Sequence, residues 1–207
     1  MPNAMVIDLS HHNASADFQK IRAAGVVGVM HKATQGTGFV DSQYAPRKPA
    51  ALQAGLLWGA YHFGTGDDVD AQLANFINTT RPDGSFVLVL DFEKNGTSPA
   101  NSMSLDQATD FLTKAEAQTG QRPVIYTGSY LTDVAGSQPV PALAQYRVWW
   151  ARYSSTPHLH ATWPNYWLWQ YSDGANGPEQ KSVDGVGPCD CDTFNGDEAG
   201  LRANWLA

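Results

Sequence analysis

Cysteine is nearly missing from this chain: its 207 residues include two, Cys189 and Cys191. With one residue between them they bridge only under strain, so no disulfide framework supports the fold and reduced, semi-buried thiols are expected. Partners at workable spacing for a zinc site on these cysteines are missing as well. Basic clusters are also lacking. Lys and Arg number 13 against 20 Asp and Glu, a net charge of −7, and without grouped cations to meet phosphates a nucleic-acid partner is not expected. No run comes near the roughly 18 apolar residues of a membrane span, so membrane insertion is not expected either. The opening Met1-Pro2-Asn3-Ala4 has neither the basic segment nor the apolar centre of an export signal. The chain is therefore expected to stay in the cytoplasm unless cell lysis or a dedicated secretion system releases it.

What is present describes a folded domain. Apolar residues make up 43% of the sequence and charged ones 16%, far from the profile of a disordered chain. No repeat, low-complexity tract or linker interrupts it, so residues 1–207 read as one domain. Apolar runs recur at Met5-Val6-Ile7, Val26 to Met30, Leu56 to Tyr61, Phe86 to Leu90, Val124-Ile125-Tyr126, Val148-Trp149-Trp150 and Trp167-Leu168-Trp169. Unbroken rather than alternating runs mark strands buried on both faces. Helical patterns lie between the earlier runs, the clearest from Ser104 to Gln118, where Ser104 and Gln107 form a capping box and Gly120 is a stop. This alternation predicts an α/β fold with parallel strands closed into a single TIM-like barrel. Beyond Gly136 the segments between strands are short and rich in Ser, Pro, Gly and aromatics. The C-terminal half is thus expected to be irregular, with reduced helices.

The segment Phe86-Val87-Leu88-Val89-Leu90-Asp91-Phe92-Glu93 is an uncharged strand that ends in two acids. Residues i and i+2 of a strand leave the same face, so Asp91 and Glu93 are expected to point together, with Cα atoms about 7 Å apart. The C-terminal strand ends of such a barrel form its active-site face. Two neighbouring carboxyls suit glycosidic cleavage: one keeps a proton for the leaving oxygen while the other stays ionised against an oxocarbenium-like ring. Glu93, one methylene longer and nearer the mouth, is the expected donor, and Asp91 the deeper electrostatic partner. The plainer alternative has both acids capping a loop or pairing with Lys32 or Arg152. Val6-Ile7-Asp8-Leu9-Ser10 repeats the pattern and brings Asp8 to the same face, although a lone Asp there also serves turns. Asp190, in Cys189-Asp190-Cys191-Asp192-Thr193-Phe194-Asn195-Gly196, is a further candidate in a stretch that also writes an ordinary turn.

Tyr61, Tyr126, Trp149 and Gln170 fall at comparable strand-end positions. Sugar rings present apolar C–H faces and hydroxyl rims, so these side chains are candidates for lining a substrate cleft. Filling the barrel is the alternative for each aromatic. His31 and His62 read as core or supporting histidines.

In this order and spacing, Ile7-Asp8-Leu9-Ser10, Lys32-Ala33-Thr34-Gln35-Gly36, Gly59-Ala60-Tyr61-His62-Phe63, Leu90-Asp91-Phe92-Glu93, Val124-Ile125-Tyr126-Thr127-Gly128, Trp149 through Tyr153, Trp169-Gln170-Tyr171-Ser172 and Asp190 through Gly196 carry a likeness. The pattern resembles family 25 of the glycoside hydrolases, the Chalaropsis-type lysozymes, across nearly the whole chain. The resemblance implies a flattened β/α barrel that hydrolyses the β-1,4 bond between N-acetylmuramic acid and N-acetylglucosamine in peptidoglycan. Retention is implied, with the substrate's own acetamido group as nucleophile. Glu93 is then general acid and base, Asp91 supports the acetamido group, and Asp8 and Asp190 hold site and substrate. Lys32 joins Tyr61, Tyr126, Trp149 and Gln170 as substrate-binding. The resemblance implies a monomer acting on the cell wall, with no cofactor and no metal.

Three departures stand out. Gln35 occupies a position where the family commonly has Glu. Cys189 and Cys191 flank Asp190 where apolar or amide residues are usual, which leaves Asp192 as a rival for its role. The sequence also stops soon after the barrel, without wall-binding repeats. A charge of −7 sits awkwardly with an anionic polymer, although local potential in a cleft matters more than the total. Two other classes remain. In a metal-dependent phosphodiesterase, Asp8, Asp91, Glu93 and Asp190 would hold Mg²⁺, against which the lack of clustered cations counts. A glycan-binding barrel without turnover has no need of both Asp91 and Glu93.

Overall fold

A computed structural model describes residues 3–178 and 180–207. Met1 and Pro2, which begin the segment read for an export signal, lie outside the described residues, as does Glu179. The chain runs β1 (Val6–Leu9), α1 (Phe18–Ala23), β2 (Gly28–Gln35), β3 (Phe39–Val40), α2 (Tyr44–Gln53), β4 (Leu57–Phe63), α3 (Val69–Thr80) and β5 (Val87–Asp91). It continues with α4 (Leu105–Thr119), β6 (Val124–Thr127), α5 (Ser129–Ala135), β7 (Val148–Ala151) and β8 (Leu168–Asp173). The last elements are β9 (Ser182–Val183), β10 (Gly187–Pro188), β11 (Asp190–Phe194) and α6 (Glu198–Ala203). Among the described residues, eight strands close into a ring in the order β1-β2-β4-β5-β6-β7-β8-β11, and β3 is a short antiparallel flap on β2.

The all-parallel expectation needs correcting at one strand. Every neighbouring pair from β1 to β8 is parallel, but β11 pairs antiparallel with both β8 and β1. The chain passes from β8 to β11 through only the small antiparallel β9 and β10 pair, without the crossover helix that a parallel return needs. The stretch weighed as a turn is thus a strand, and it sets Asp190 opposite Asp8 and Asp192 opposite Val6. No helix separates β7 from β8, so the helical cover is thin in the C-terminal half, as the composition predicted.

Strand alternation divides the apolar residues into two cores. Val6, Met30, Val87, Val89, Val124, Trp149 and Leu168 form one cluster inside the ring. Ile7, Val29, Leu88, Leu90, Ile125 and Trp150, of the opposite parity, pack outward against the helices. Both faces of the strands are buried, which explains their unbroken apolar runs. Below the ring, Trp205 donates from Nε1 to Trp58 O at 2.9 Å, and its ring lies so close that a Cβ on Gly28 would come within 2.8 Å. The last helical segment therefore plugs the N-terminal end of the barrel and leaves the opposite end open. The capping box on α4 forms as read, with Ser104 accepting from Gln107 N and Gln107 Oε1 accepting from Ser104 N. Gly120 ends the helix at φ 68, a left-handed conformation that glycine adopts without strain.

Candidate active site

At the open end, the inward parity of the strands passes from valine to polar residues. Val6 is followed on its face by Asp8, Val89 by Asp91, Val124 by Tyr126 and Leu168 by Gln170. These four side chains line a pocket of about 160 Å³, together with Tyr61, Trp149 and three residues from the strand ends and loops, Glu93, Tyr153 and Asp190. Asp91 and Glu93 share this pocket, while Phe92 between them is fully buried in the outer core. Neither acid forms an ion pair with Lys32 or Arg152 among the described residues.

Gln170 is the hub of the pocket. Its Nε2 donates to Asp8 Oδ2 at 2.7 Å, and its Oε1 accepts from the Tyr126 hydroxyl at 2.7 Å and the Tyr153 hydroxyl at 3.1 Å. A side chain predicted to meet substrate thus spends its amide on three neighbours. Asp8 and Asp190 stand opposite each other across the β1–β11 pair and line the same pocket. Asp192, the rival, points elsewhere: it is fully buried and its Oδ1 accepts from Trp149 Nε1 at 2.6 Å. Trp149 lines the pocket with its indole nitrogen already tied down. Lys32 is not among the residues lining the pocket. Its Nζ donates to Gln35 Oε1 at 2.7 Å and lies 4.8 Å from the centre of the Phe63 ring. Tyr153 entered the sequence reading only as the end of the Trp149-to-Tyr153 stretch; it lies beyond the end of β7, where strand parity no longer indicates direction, and it lines the pocket.

The electrostatics follow from burial. Burial and the Glu93 charge push the Asp91 carboxyl well up, against the pull of Lys32. Burial raises Glu93 to about 7, again against Lys32 and with Asp190 adding to the rise. Asp190 is raised to about 6, and Asp8 is raised by burial and then by Asp190 and Asp192. A crowd of carboxyls in one low-dielectric pocket cannot ionise together, so it retains protons at neutral pH. Among the described residues Oδ1 of Asp91 has no hydrogen-bond partner, which leaves an acceptor unused in the pocket.

Beside the pocket runs a larger cleft of about 670 Å³, which shares Glu93, Tyr126 and Tyr153 with it. Its far wall is polar, with Ser129, Thr132, Asp133 and Arg152. Glu93 thus stands where an enclosed pocket opens into a groove. Among the described residues no three His, Cys, Asp or Glu side chains are arranged to hold a metal ion. Cys189 and Cys191 are free and fully buried, deeper than the semi-buried expectation, and the Cys191 thiol donates to Cys189 O at 3.5 Å.

A closed α/β barrel with carboxyls gathered at its open end, beside a long cleft, places the protein among the glycoside hydrolases. The chain belongs to glycosyl hydrolases family 25, whose family model matches residues 7–180. Lysozyme M1 of Streptomyces globisporus is 32% identical over 215 residues, covering 95% of this chain and 69% of that protein. The N,O-diacetylmuramidase of Chalaropsis sp is 28% identical over 201 residues, covering 86% of this chain and 95% of that protein. Among solved structures, the bacterial lysozyme from Streptomyces coelicolor matches with a TM-score of 0.82 at 31% identity, covering 97% of this chain and 95% of that one.

Proposed function

We propose that the protein is a lysozyme that cleaves the β-1,4 bond between N-acetylmuramic acid and N-acetylglucosamine in peptidoglycan glycan strands, with retention. The observation that carries this reading is the placement of Glu93 and Asp91 in one pocket, with Glu93 at the junction with the open cleft. A carboxyl raised to about 7 is about half protonated at neutral pH and gives its proton readily, which suits a general acid. Glu93 protonates the glycosidic oxygen as the C–O bond breaks. The carbonyl oxygen of the substrate acetamido group attacks the anomeric carbon from the other side, forming a cyclic oxazolinium ion. Asp91 accepts the acetamido N–H at Oδ1, which has no donor among the described residues. Glu93 then takes a proton from water, whose oxygen opens the ring and restores the starting configuration. Asp8 and Asp190 hold substrate hydroxyls, with Gln170 fixing Asp8 and the two tyrosines.

One chain supplies all these groups, so the working unit is a monomer. Purified protein is expected to clear a peptidoglycan suspension and release new reducing ends at muramic acid. Glu93→Gln lowers that rate by at least about 10²-fold while circular dichroism shows an intact fold. Wild-type turnover in that variant removes the mechanism.

A further inference from the structure

We propose that Lys32, held by the neutral amide of Gln35, is a positioning residue that sets the pH range in which the Asp91 and Glu93 pair divides its protons. The inference rests on the reading of that pair given above. Lys32 lies on β2, opposite Tyr61 of β4, and Phe63 on β4 lies opposite Asp91 of β5. The ammonium is thus two strands away from the acids, on the same inward side of the ring. Its Nζ is bonded to Gln35 Oε1 at 2.7 Å and sits over two rings, 4.8 Å from the centre of Phe63 and 5.7 Å from that of Phe39. Amide and rings keep it half-buried without neutralising it.

No carboxylate comes within 4.0 Å of this ammonium among the described residues. The nearby Asp41 is already engaged by His11, through its ring Nδ1 at 2.7 Å and its backbone N at 2.9 Å. His62, also on β4, is held neutral by burial. The acids meet only neutral or acidic groups from the other strands: Tyr61 on β4, Tyr126 on β6, Tyr153 after β7, and Asp8 and Asp190 on β1 and β11. Lys94 and Arg152 are exposed residues of the outer cleft, where solvent screens them. Among the described residues Lys32 is thus a half-buried cation on the inward side of the ring near both acids, and it opposes the upward push of burial on each. An acid at position 35 would cancel that field.

The test is the pH profile of kcat/KM on peptidoglycan for the wild type, Gln35→Glu, Lys32→Met and Gln35→Ala. Gln35→Glu sets a carboxylate against Nζ, and Lys32→Met removes the charge. Both move the acidic and basic limbs to higher pH, by about half a unit to one unit. Gln35→Ala keeps the charge and leaves the limbs in place even where kcat falls. A lowered kcat with unmoved limbs in Gln35→Glu and Lys32→Met reduces both residues to structural supports and overturns the proposal. A readout independent of turnover is the ¹³C carboxyl titration of Glu93 by NMR. It shifts upward in Gln35→Glu if the inference holds and coincides with the wild type if it fails. A shifted titration in a protein that never cleaves peptidoglycan overturns the proposed function and upholds the coupling.

Discussion

Glu93 is held in an environment that favours its proton. Its carboxyl, ordinarily at 4.5, is raised to about 7 by burial, so between those values the folded protein binds a proton that the unfolded chain releases. Stability from this group is complete below the lower value and is lost as pH rises through the upper one. Glu93→Gln removes the ionisable group and is expected to raise stability at pH 8 by on the order of 2 kcal/mol, with little effect at pH 5. Melting temperatures at the two pH values check this, and equal gains at both would assign the effect to packing instead. Gln170→Leu has the opposite effect: it leaves Asp8, Tyr126 and Tyr153 without their common partner. A loss of about 1–3 kcal/mol is expected in urea unfolding, together with reduced turnover. At this scale the sequence was legible where a carboxyl sits on a strand of known parity, as for Asp8 and Asp91, which both line the pocket. The choice between Asp190 and Asp192 was not, because it depends on the register of β11 against β1, residues more than 180 positions away.

Elements whose stability is local were read most closely. The α4 helix carries its own start and stop signals, and both appear in the structure. Ser104→Ala removes the cap and is expected to cost about 1 kcal/mol in urea unfolding without altering the pH profile of turnover. The seven apolar runs all became strands, although β2 extends to Gln35, past the run that ended at Met30. Four described strands, β3, β9, β10 and β11, escaped notice, and for β3 and β11 the reason is physical. The β3 flap has two residues, too few for a periodic signal, and both are exposed. The β11 strand carries two Asp residues, with Asn and Gly following, and Asp, Asn and Gly favour turns unless partners on both sides supply hydrogen bonds.

For the whole molecule, the formal charge of −7 overstates the negative potential of the site, since burial pushes Asp8 well up and Glu93 to about 7, so that part of the pocket's formal charge is protonated at neutral pH. Turnover is expected to be unchanged in EDTA, and its loss on chelation would revive the metal-dependent alternative. The ring itself has a seam. Seven of its strands come from residues 6–173, and the eighth, β11, sits between the first and the seventh. While the chain is being made, Asp8 leaves the ribosome early but meets Asp190 only after the seven other strands of the ring have emerged. Until β11 arrives the pocket lacks one wall, so the order of synthesis itself delays assembly of the site.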